Sequence, residues 1–461
     1  MGLGLLGRGL GDAVFLAEHG AELIVTDLRD EKTLAPSREK IEGYKNIRYT
    51  LGEHKFEDFR NRDFILKAAG IPLDSSYIAE AQRNGIPIEM DASLFAKLAP
   101  KGVVLVGVTG TRGKSTTTAL IYEILSAAME HGTWNIEHKN RKVYRGGNLV
   151  AEATLPLIEK VKAGDIVVLE LDSWQLQGFH DAKLSPQVSV FTTFLDDHLI
   201  YYKGNTDRYF EDKVGIFKYQ KPGNLLVVGE RVAPLVAKSG VPIQSDVVVA
   251  AKEDVPKSWN IPIPGEHNLE NISCALQVAA HFKVPLEAVK NAIENFKAAP
   301  GRLEFLREVG GVKIYNDNNA TTPDATIAAL RALHPKSEIL NSKQIPNSRQ
   351  SQNLKISKSK NIILIMGGTD KGLDMSKLIS SIPEYCKAVV LLNETGTDKL
   401  IFNYQFPIFK KDTLKECVDE AMKLAKKGDT VLFSPAFASF GKWFKNEYDR
   451  GAQFVNEVNQ L

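Results

Sequence analysis

The chemistry legible in this 461-residue chain begins at Thr109-Gly110-Thr111-Arg112-Gly113-Lys114-Ser115-Thr116, which follows the apolar run Val103–Val108. A strand, a glycine-rich turn, Lys-Ser and an amphipathic helix in that order make a phosphate loop. The backbone N–H groups of Gly110, Thr111 and Gly113 cradle phosphate oxygens, Lys114 supplies a point charge at the β/γ-phosphates, and the Ser115 hydroxyl can ligate Mg²⁺. The strict pattern G-x-x-x-x-G-K-[ST] asks for glycine at 108. Val108 stands there and Gly107 is one residue early, so the loop is a near relative of the Walker type. The helix after it buries Leu120, Ile121, Ile124, Leu125 and Ala128 on one face.

A second glycine loop opens the chain: Gly2-Leu-Gly4-Leu5-Leu-Gly7. A helical stretch (12–18) and the strand Ala21–Asp27 follow, with Asp27 twenty positions after Gly7. This is dinucleotide-binding spacing, and the helix N-terminus offers N–H groups and positive dipole to a diphosphate. The competing reading is that the glycines only allow close packing of helix on strand. The strand that should precede the loop is missing, so either the true start lies upstream or the sheet lacks its first strand.

Further along stand an acid at a strand end (Glu170), an Asp197-His198 pair, and Lys213 on a short amphipathic helix with Val214 and Phe217 as core contacts. By themselves these residues read as a loop histidine and a surface helix lysine.

These groups need a scaffold. Short apolar strands alternate with helical stretches throughout, which implies an α/β fold with parallel sheets. Three domains are expected: residues 1–99 as a Rossmann-like unit, 100–300 as a central mononucleotide-binding unit with strands at 103–108, 165–169 and 188–191, and 301–461 as a Rossmann-like C-terminal unit with strands at 362–366, 388–392 and 430–433. The linkers are Pro100–Gly102 and Ala298–Gly301. In the first unit 64–70 reads as a strand. The segment 341–360 contains five basic residues, no acid and three large apolar residues. It is expected to be a disordered insertion, and it accounts for more than the whole net charge of +2. The rest is mildly acidic, which argues against a nucleic-acid-binding protein. Cys274, Cys386 and Cys417 have no metal-ligand spacing and suggest a reducing compartment. No run is long enough to span a bilayer, and no signal peptide is apparent.

Read together, the motifs resemble those of the ATP-dependent Mur ligase family, which also includes folate polyglutamate synthases. The resemblance rests on the T-G-T-x-G-K-S loop, Glu170-Leu-Asp-Ser173-Trp-Gln175-Leu, Asp197-His198, Phe210-Glu-Asp-Lys213, Gly265-Glu-His267-Asn268-Leu-Glu-Asn271, Gly301-Arg302-Leu-Glu304 and Asn316-Asp317. The opening glycine loop, Gly367–Asp374 and Ser434–Phe440 are most similar to the D-glutamate-adding members.

The resemblance implies an ATP-dependent acid–amino-acid ligase working through an acyl phosphate, with UDP-N-acetylmuramoyl-L-alanine and D-glutamate as substrates, in a cytoplasmic step of peptidoglycan synthesis. It implies ATP and two Mg²⁺, with Ser115, Glu170 and His198 as ligands and Lys213 carbamylated. Lys114, Lys213 and His198 are implied as catalytic, and Asn271, Arg302 and Asp317 as nucleotide contacts. Gly4, Leu5, Thr26, Asp27, Gly70 and Asn148 are implied on the UDP-substrate side, and Thr321, Lys371 and Ser439 on the amino acid. A monomer is expected.

The sequence departs from the family at Asn319, where a lysine is usual, at Thr193, where an asparagine is usual, and around Glu447. These departures put amino-acid specificity in question more than the ligase class. A dinucleotide-dependent oxidoreductase, an inactive nucleotide-binding scaffold and a polyglutamate synthase are the alternatives. The second phosphate loop, the retained Lys114, Glu170, His198 and Lys213, and residues 1–99 respectively argue against them.

Overall fold

The computed structural model describes residues 1–5, 7–130, 141–148, 152–198, 201–334, 360–400, 406–439 and 441–461. The expected insertion at 341–360 lies outside the described residues except for Lys360. The chain forms two compact units, residues 1–254 with 270–292, and residues 255–269 with 293–461.

In the first unit, strands β1 (Leu23–Asp27), β2 (Ile47–Leu51), β3 (Ile65–Leu66) and β4 (Ile88–Glu89) form two parallel pairs, β1 with β2 and β3 with β4. The expected strand at 64–70 shrinks to two residues. Lys67 is buried and donates its ammonium to the carbonyls of Ala69 (3.2 Å) and Ile71 (2.8 Å), while its N–H still donates to Glu89 O (2.9 Å). The opening residues hydrogen-bond to segments of both pairs. The Gly2 N–H donates to Thr26 O (2.7 Å), the Met1 amine to Leu66 O (2.9 Å), and the Ala68 N–H to Met1 O (2.9 Å). Met1 and Gly2 thus hydrogen-bond to the β1 and β3 segments on either side, and Leu3 is buried among Ala13, Ala17 and Val25.

The larger sheet of this unit contains β5 (Val104–Thr109), β6 (Val143–Gly147), β7 (Ile166–Glu170), β8 (Val188–Phe191), β9 (Leu225–Gly229) and β10 (Asp246–Ala250) in the order β10-β9-β8-β5-β7-β6, all parallel. The strands β5, β7 and β9 are nearly continuous Val/Ile/Leu, as a sheet covered on both faces requires. The first 99 residues are not separated from this sheet. Phe15, Ala92, Leu94 and Phe95 share one apolar core with Leu105, Val167, Leu176 and Phe179, and Thr154 donates to the Asp91 carboxylate (3.2 Å). That shared core is why residues 1–254 cohere as one body.

The second unit is built on β11 (Glu304–Val309), β12 (Val312–Asn316), β13 (Ile362–Met366), β14 (Cys386–Leu392), β15 (Ile408–Lys411) and β16 (Thr430–Phe433). The order is β11-β12-β16-β13-β14-β15, parallel except for the β11–β12 hairpin. The last strand is therefore central, flanked by β12 and β13. Residues 255–269, expected in the central domain, group with this unit. A side chain at Gly265 would press on Ala332, its Cβ 2.8 Å from the alanine methyl. The three cysteines are free and buried. Among the described residues no helix is long and apolar enough to cross a membrane.

Candidate active site

In open parallel sheets ligands bind beyond the carboxyl ends of strands, where the strand order reverses. In the larger sheet that point is β5, flanked by β7 and β8, and the phosphate loop follows it directly. Gly110 and Gly113 have φ of +148° and +88°, which side-chain-bearing residues rarely adopt, and a Cβ on Gly113 would collide with Asn271 Oδ1. The loop is fastened to the end of β8. Thr111 N–H donates to Thr193 O (2.7 Å), Arg112 N–H to Thr193 Oγ1 (2.8 Å), and Thr192 Oγ1 to Thr109 O (3.1 Å). Thr193, a departure from the family pattern, is thus one of the residues that hold the loop. The helix Lys114–Glu130 carries Ser115 and Thr116 in its first turn, where N–H groups and dipole favour anions.

Two lysines meet on one carbonyl. Lys114 Nζ and Lys213 Nζ each donate to Gly110 O at 3.0 Å. Lys213 lies in the helix Thr206–Val214 and is fully buried, with its ammonium 4.9 Å from the Tyr209 ring. Burial, followed by the charge on Lys114, holds its pKa well below that of an ordinary lysine. The expected core contacts Val214 and Phe217 are buried as read.

Glu170 ends β7 and pairs in register with Val108 of β5 and Gly147 of β6. Asn148 N–H donates to Glu170 O (2.7 Å) and its amide to Glu170 Oε1 (3.4 Å). The helix Ser173–Ala182 after Glu170 begins with a capping box between Asp172 and Gln175, so this motif also sets a chain turn.

His198 sits at φ +55° and its ring packs on Trp174 and Tyr209 with centroids 4.7 and 5.8 Å apart. Burial lowers its pKa, Asp197 opposes the shift, and Lys114 and Lys213 add to it, which favours the neutral imidazole. Asp197 accepts from Arg112 (2.9 Å) and from His198 N–H (2.9 Å). Arg112 thus links the phosphate loop to the histidine turn, a role that single-sequence motif spacing did not reveal. Asn271 accepts from Thr117 Oγ1 (3.4 Å).

Near the chain start, the Asp27 carboxylate accepts from Gly4 N–H (3.0 Å) and Arg29 N–H (2.9 Å). It braces the first glycine loop from inside. Thr26 Oγ1 is buried without a hydrogen-bond partner, Leu5 is exposed, and a Cβ on Gly70 would lie 3.7 Å from the Trp174 ring.

In the second unit the order β12-β16-β13 brings three chain segments distant in sequence to neighbouring strand ends. Asp317 follows β12; one carboxylate oxygen accepts from Leu303 N–H (3.0 Å) and the other from Ser434 Oγ (2.9 Å). The residue expected to meet ribose hydroxyls therefore also ties the end of β12 to the end of β16, and burial raises its pKa to about 7. Lys371 Nζ donates to Thr321 Oγ1 (3.2 Å), and the buried Ser439 follows an antiparallel bridge between Thr369 and Ala438. Arg302 lies on the turn Gly301–Leu303, half-buried. Asn319, the departure, donates to Pro300 O (3.1 Å). Glu447 begins the helix Glu447–Asn459.

Residues 108–241 match the family model described as "Mur ligase middle domain". A UDP-N-acetylmuramoylalanine--D-glutamate ligase of Roseiflexus sp. (strain RS-1) is 33% identical, covering 100% of this chain and 98% of that protein. The chain belongs to the Mur ligase family. The protein of the same name from Borreliella burgdorferi (strain ZS7) is 32% identical over 100% of this chain and 97% of its own. Among solved structures, the UDP-N-acetylmuramate-alanine ligase MurC of Thermotoga maritima superposes with a TM-score of 0.59 at 17% identity, covering 100% of this chain and 98% of that one. The MurF ligase of the same organism, in complex with ADP, gives 0.55 at 19%, covering 87% and 99%. These two likenesses support the Mur ligase fold. As a Mur ligase the chain is an ATP-dependent, ADP-forming enzyme, which accords with a phosphate loop at the switch point of its sheet.

Proposed function

We propose that this chain adds D-glutamate to UDP-N-acetylmuramoyl-L-alanine in a cytoplasmic, peptidoglycan-building reaction, acting as a monomer. The observation that carries the reading is the meeting of Lys114 and Lys213 on the Gly110 carbonyl, next to the strand that ends in Glu170. A carboxylate can attack the γ-phosphate of ATP only where positive charge offsets two anions. Attack forms the acyl–phosphate O–P bond and expels ADP. The free amine of D-glutamate then bonds to the acyl carbon, inorganic phosphate leaves, and the amine proton is lost. Lys114 stabilises charge on the transferring phosphoryl group, Asn271 and Arg302 contact the nucleotide, and Thr321, Lys371 and Ser439 hold the amino acid. Gly4, Leu5, Thr26, Gly70 and Asn148 form the UDP-substrate side, with Asp27 bracing the loop.

The donors present fit Mg²⁺. Ser115 and Glu170 are hard oxygen ligands, and His198 is biased to its neutral form. Among the described residues no group of three or more His, Cys, Asp or Glu forms a cage alone; a cation that keeps water and phosphate oxygens needs none. Mg²⁺, expected as two ions, would neutralise phosphate charge there, and Lys213 as a carbamate would add an anionic oxygen donor. The low pKa of Lys213 supports that modification, because the neutral amine is the form that adds to CO₂.

The test is phosphate release with ATP, Mg²⁺, UDP-N-acetylmuramoyl-L-alanine and a panel of amino acids. D-Glutamate is expected to stimulate release most; no stimulation refutes the assignment.

A further inference from the structure

The helix Glu447–Asn459 near the C-terminus presents Arg450, Phe454 and Val458 on one buried stripe. Phe454 stacks on Phe433 of β16, ring centroids 4.5 Å apart. In the same stripe, where an apolar side chain would be expected, stands a fully buried guanidinium. Its hydrogen bonds all end on neutral acceptors: Nε on Asn318 Oδ1 (2.7 Å), one terminal nitrogen on Phe437 O (3.2 Å) and Ala438 O (3.1 Å), the other on Asn318 O (2.9 Å). Burying a charge without an ion-pair partner is unfavourable, and an apolar residue of similar volume is commonly the more stabilising choice. The compensating gain is geometric: one rigid fork holds two loops in a fixed relation.

Those loops are the ones that carry the amino-acid-side residues. Asn318 lies three residues before Thr321, and Ala438 directly precedes Ser439. Ala438 exchanges hydrogen bonds with Thr369 in both directions, each 3.1 Å, which brings in the third loop, with Lys371. Ala436 N–H donates to Ala320 O (2.8 Å), and Ala436 is held at φ +63°. Gly368 leaves room for the arrangement, since a Cβ there would lie 3.1 Å from the Arg450 guanidinium and collide with Ala438 O. Asn318 is itself held by Glu447 O, which its amide reaches at 2.6 Å.

We propose that Arg450 is the positioning residue of the amino-acid site: from beneath three loops it sets Thr321, Lys371 and Ser439 in register for one dianionic amino acid. The fork reads the carbonyls of two loops at once, so a lysine in its place keeps a cation but loses the register. Glu447 and Glu394 lie near enough to offset part of its charge, so what the guanidinium supplies to these loops is geometry. The inference rests on the D-glutamate ligase reading.

The test is a set of steady-state constants for Arg450→Lys and Asn318→Ser against the unaltered enzyme. For Arg450→Lys the KM for D-glutamate is expected to rise roughly tenfold, the worth of about one charge-assisted hydrogen bond. The KM values for ATP and for the UDP-linked substrate should stay within about twofold. Acyl-phosphate formation without amino acid, trapped by hydroxylamine, should be unchanged. A role in folding alone would lower Tm and the active fraction and leave every KM in place. Asn318→Ser keeps Arg450 and removes the Nε acceptor, together with the amide's bonds to Glu447 O and Asn319 Oδ1. It should raise the D-glutamate KM about threefold, which secures the test if Arg450→Lys does not fold. A D-glutamate KM within twofold of the unaltered enzyme in these variants, or an equal rise in all three KM values, overturns the proposal. Absence of D-glutamate-stimulated turnover in the unaltered enzyme overturns the underlying reading instead.

Discussion

Lys213→Ala offers the sharpest test of the charge arrangement at the phosphate loop. Lys114 and Lys213 each lie 3.0 Å from the Gly110 carbonyl oxygen, so their ammonium groups are no more than about 6 Å apart, and at an effective dielectric of about 20 they repel by about 3 kcal/mol. Burial of Lys213 adds to this, and together they favour the neutral amine. A free lysine near pKa 10.4 is neutral in only about one molecule in a thousand at pH 7.5, and this site raises that fraction. Reaction with CO₂ forms an N–C bond and releases a proton, and the repulsion from Lys114 becomes an attraction of similar size. Lys213→Ala is expected to lose about 10²- to 10³-fold in kcat, the scale for removing one preorganised charged group. Formate or acetate should restore part of it by supplying a small carboxylate. The assay is phosphate release with all three substrates, repeated in CO₂-depleted buffer and after adding bicarbonate. A variant within threefold of the unaltered enzyme sinks the reasoning. A dead variant that no small acid improves, beside an enzyme indifferent to CO₂, sinks the carbamate alone. Stability gives a separate reading. Without carbamylation, the unfolded chain binds the Lys213 proton more tightly, so stability rises with pH up to the unfolded value near 10.5. Lys213→Met should flatten that slope in thermal melts.

Lys114→Ala should abolish ATP-dependent phosphate release while leaving Tm nearly unchanged; near-normal turnover would remove the phosphate-loop assignment. Arg112→Gln frees the Asp197–His198 turn and should raise the Mg²⁺ concentration for half-maximal activity roughly three- to tenfold, with an unshifted Mg²⁺ titration as the contrary result. Asp317, raised to about 7 by burial, binds its proton more tightly folded than unfolded. Its contribution to stability therefore declines as pH rises from near 4 through 7, and Asp317→Asn should flatten Tm across that window. Deleting 341–360 should leave activity within a few-fold, and a large loss would assign the segment a role.

The local pieces were legible because each is specified by a few adjacent residues. Strand, glycines, Lys-Ser and helix form one continuous signal at 103–130, and the strands 188–191, 362–366 and 430–433 appear within the bounds read from their apolar runs. Long-range relations were not legible. Nothing near Lys67 reports that its ammonium will be buried on the carbonyls of Ala69 and Ile71, and nothing near Met1 reports that it will lie between the β1 and β3 segments. Asp27 was read by its spacing, but its carboxylate faces inward. Arg450 lies on a helix of mixed polarity, where a buried guanidinium looks like any surface arginine until β16 and its loop are in place. The acceptors it needs are contributed by residues up to 132 positions away.

The position of β16 has a consequence for biosynthesis. The second sheet is complete only when residues 430–433, close to the end of the chain, insert between β12 and β13. A ribosome-bound chain that has already released β11 to β15 therefore holds two open strand edges facing each other across a gap. Such edges are templates for wrong partners. The strand that closes them emerges last and brings the Ser434–Ser439 loop with it. Ordering of the amino-acid pocket and removal of the aggregation hazard are thus the same folding event, and a premature stop before Thr430 forfeits both at once.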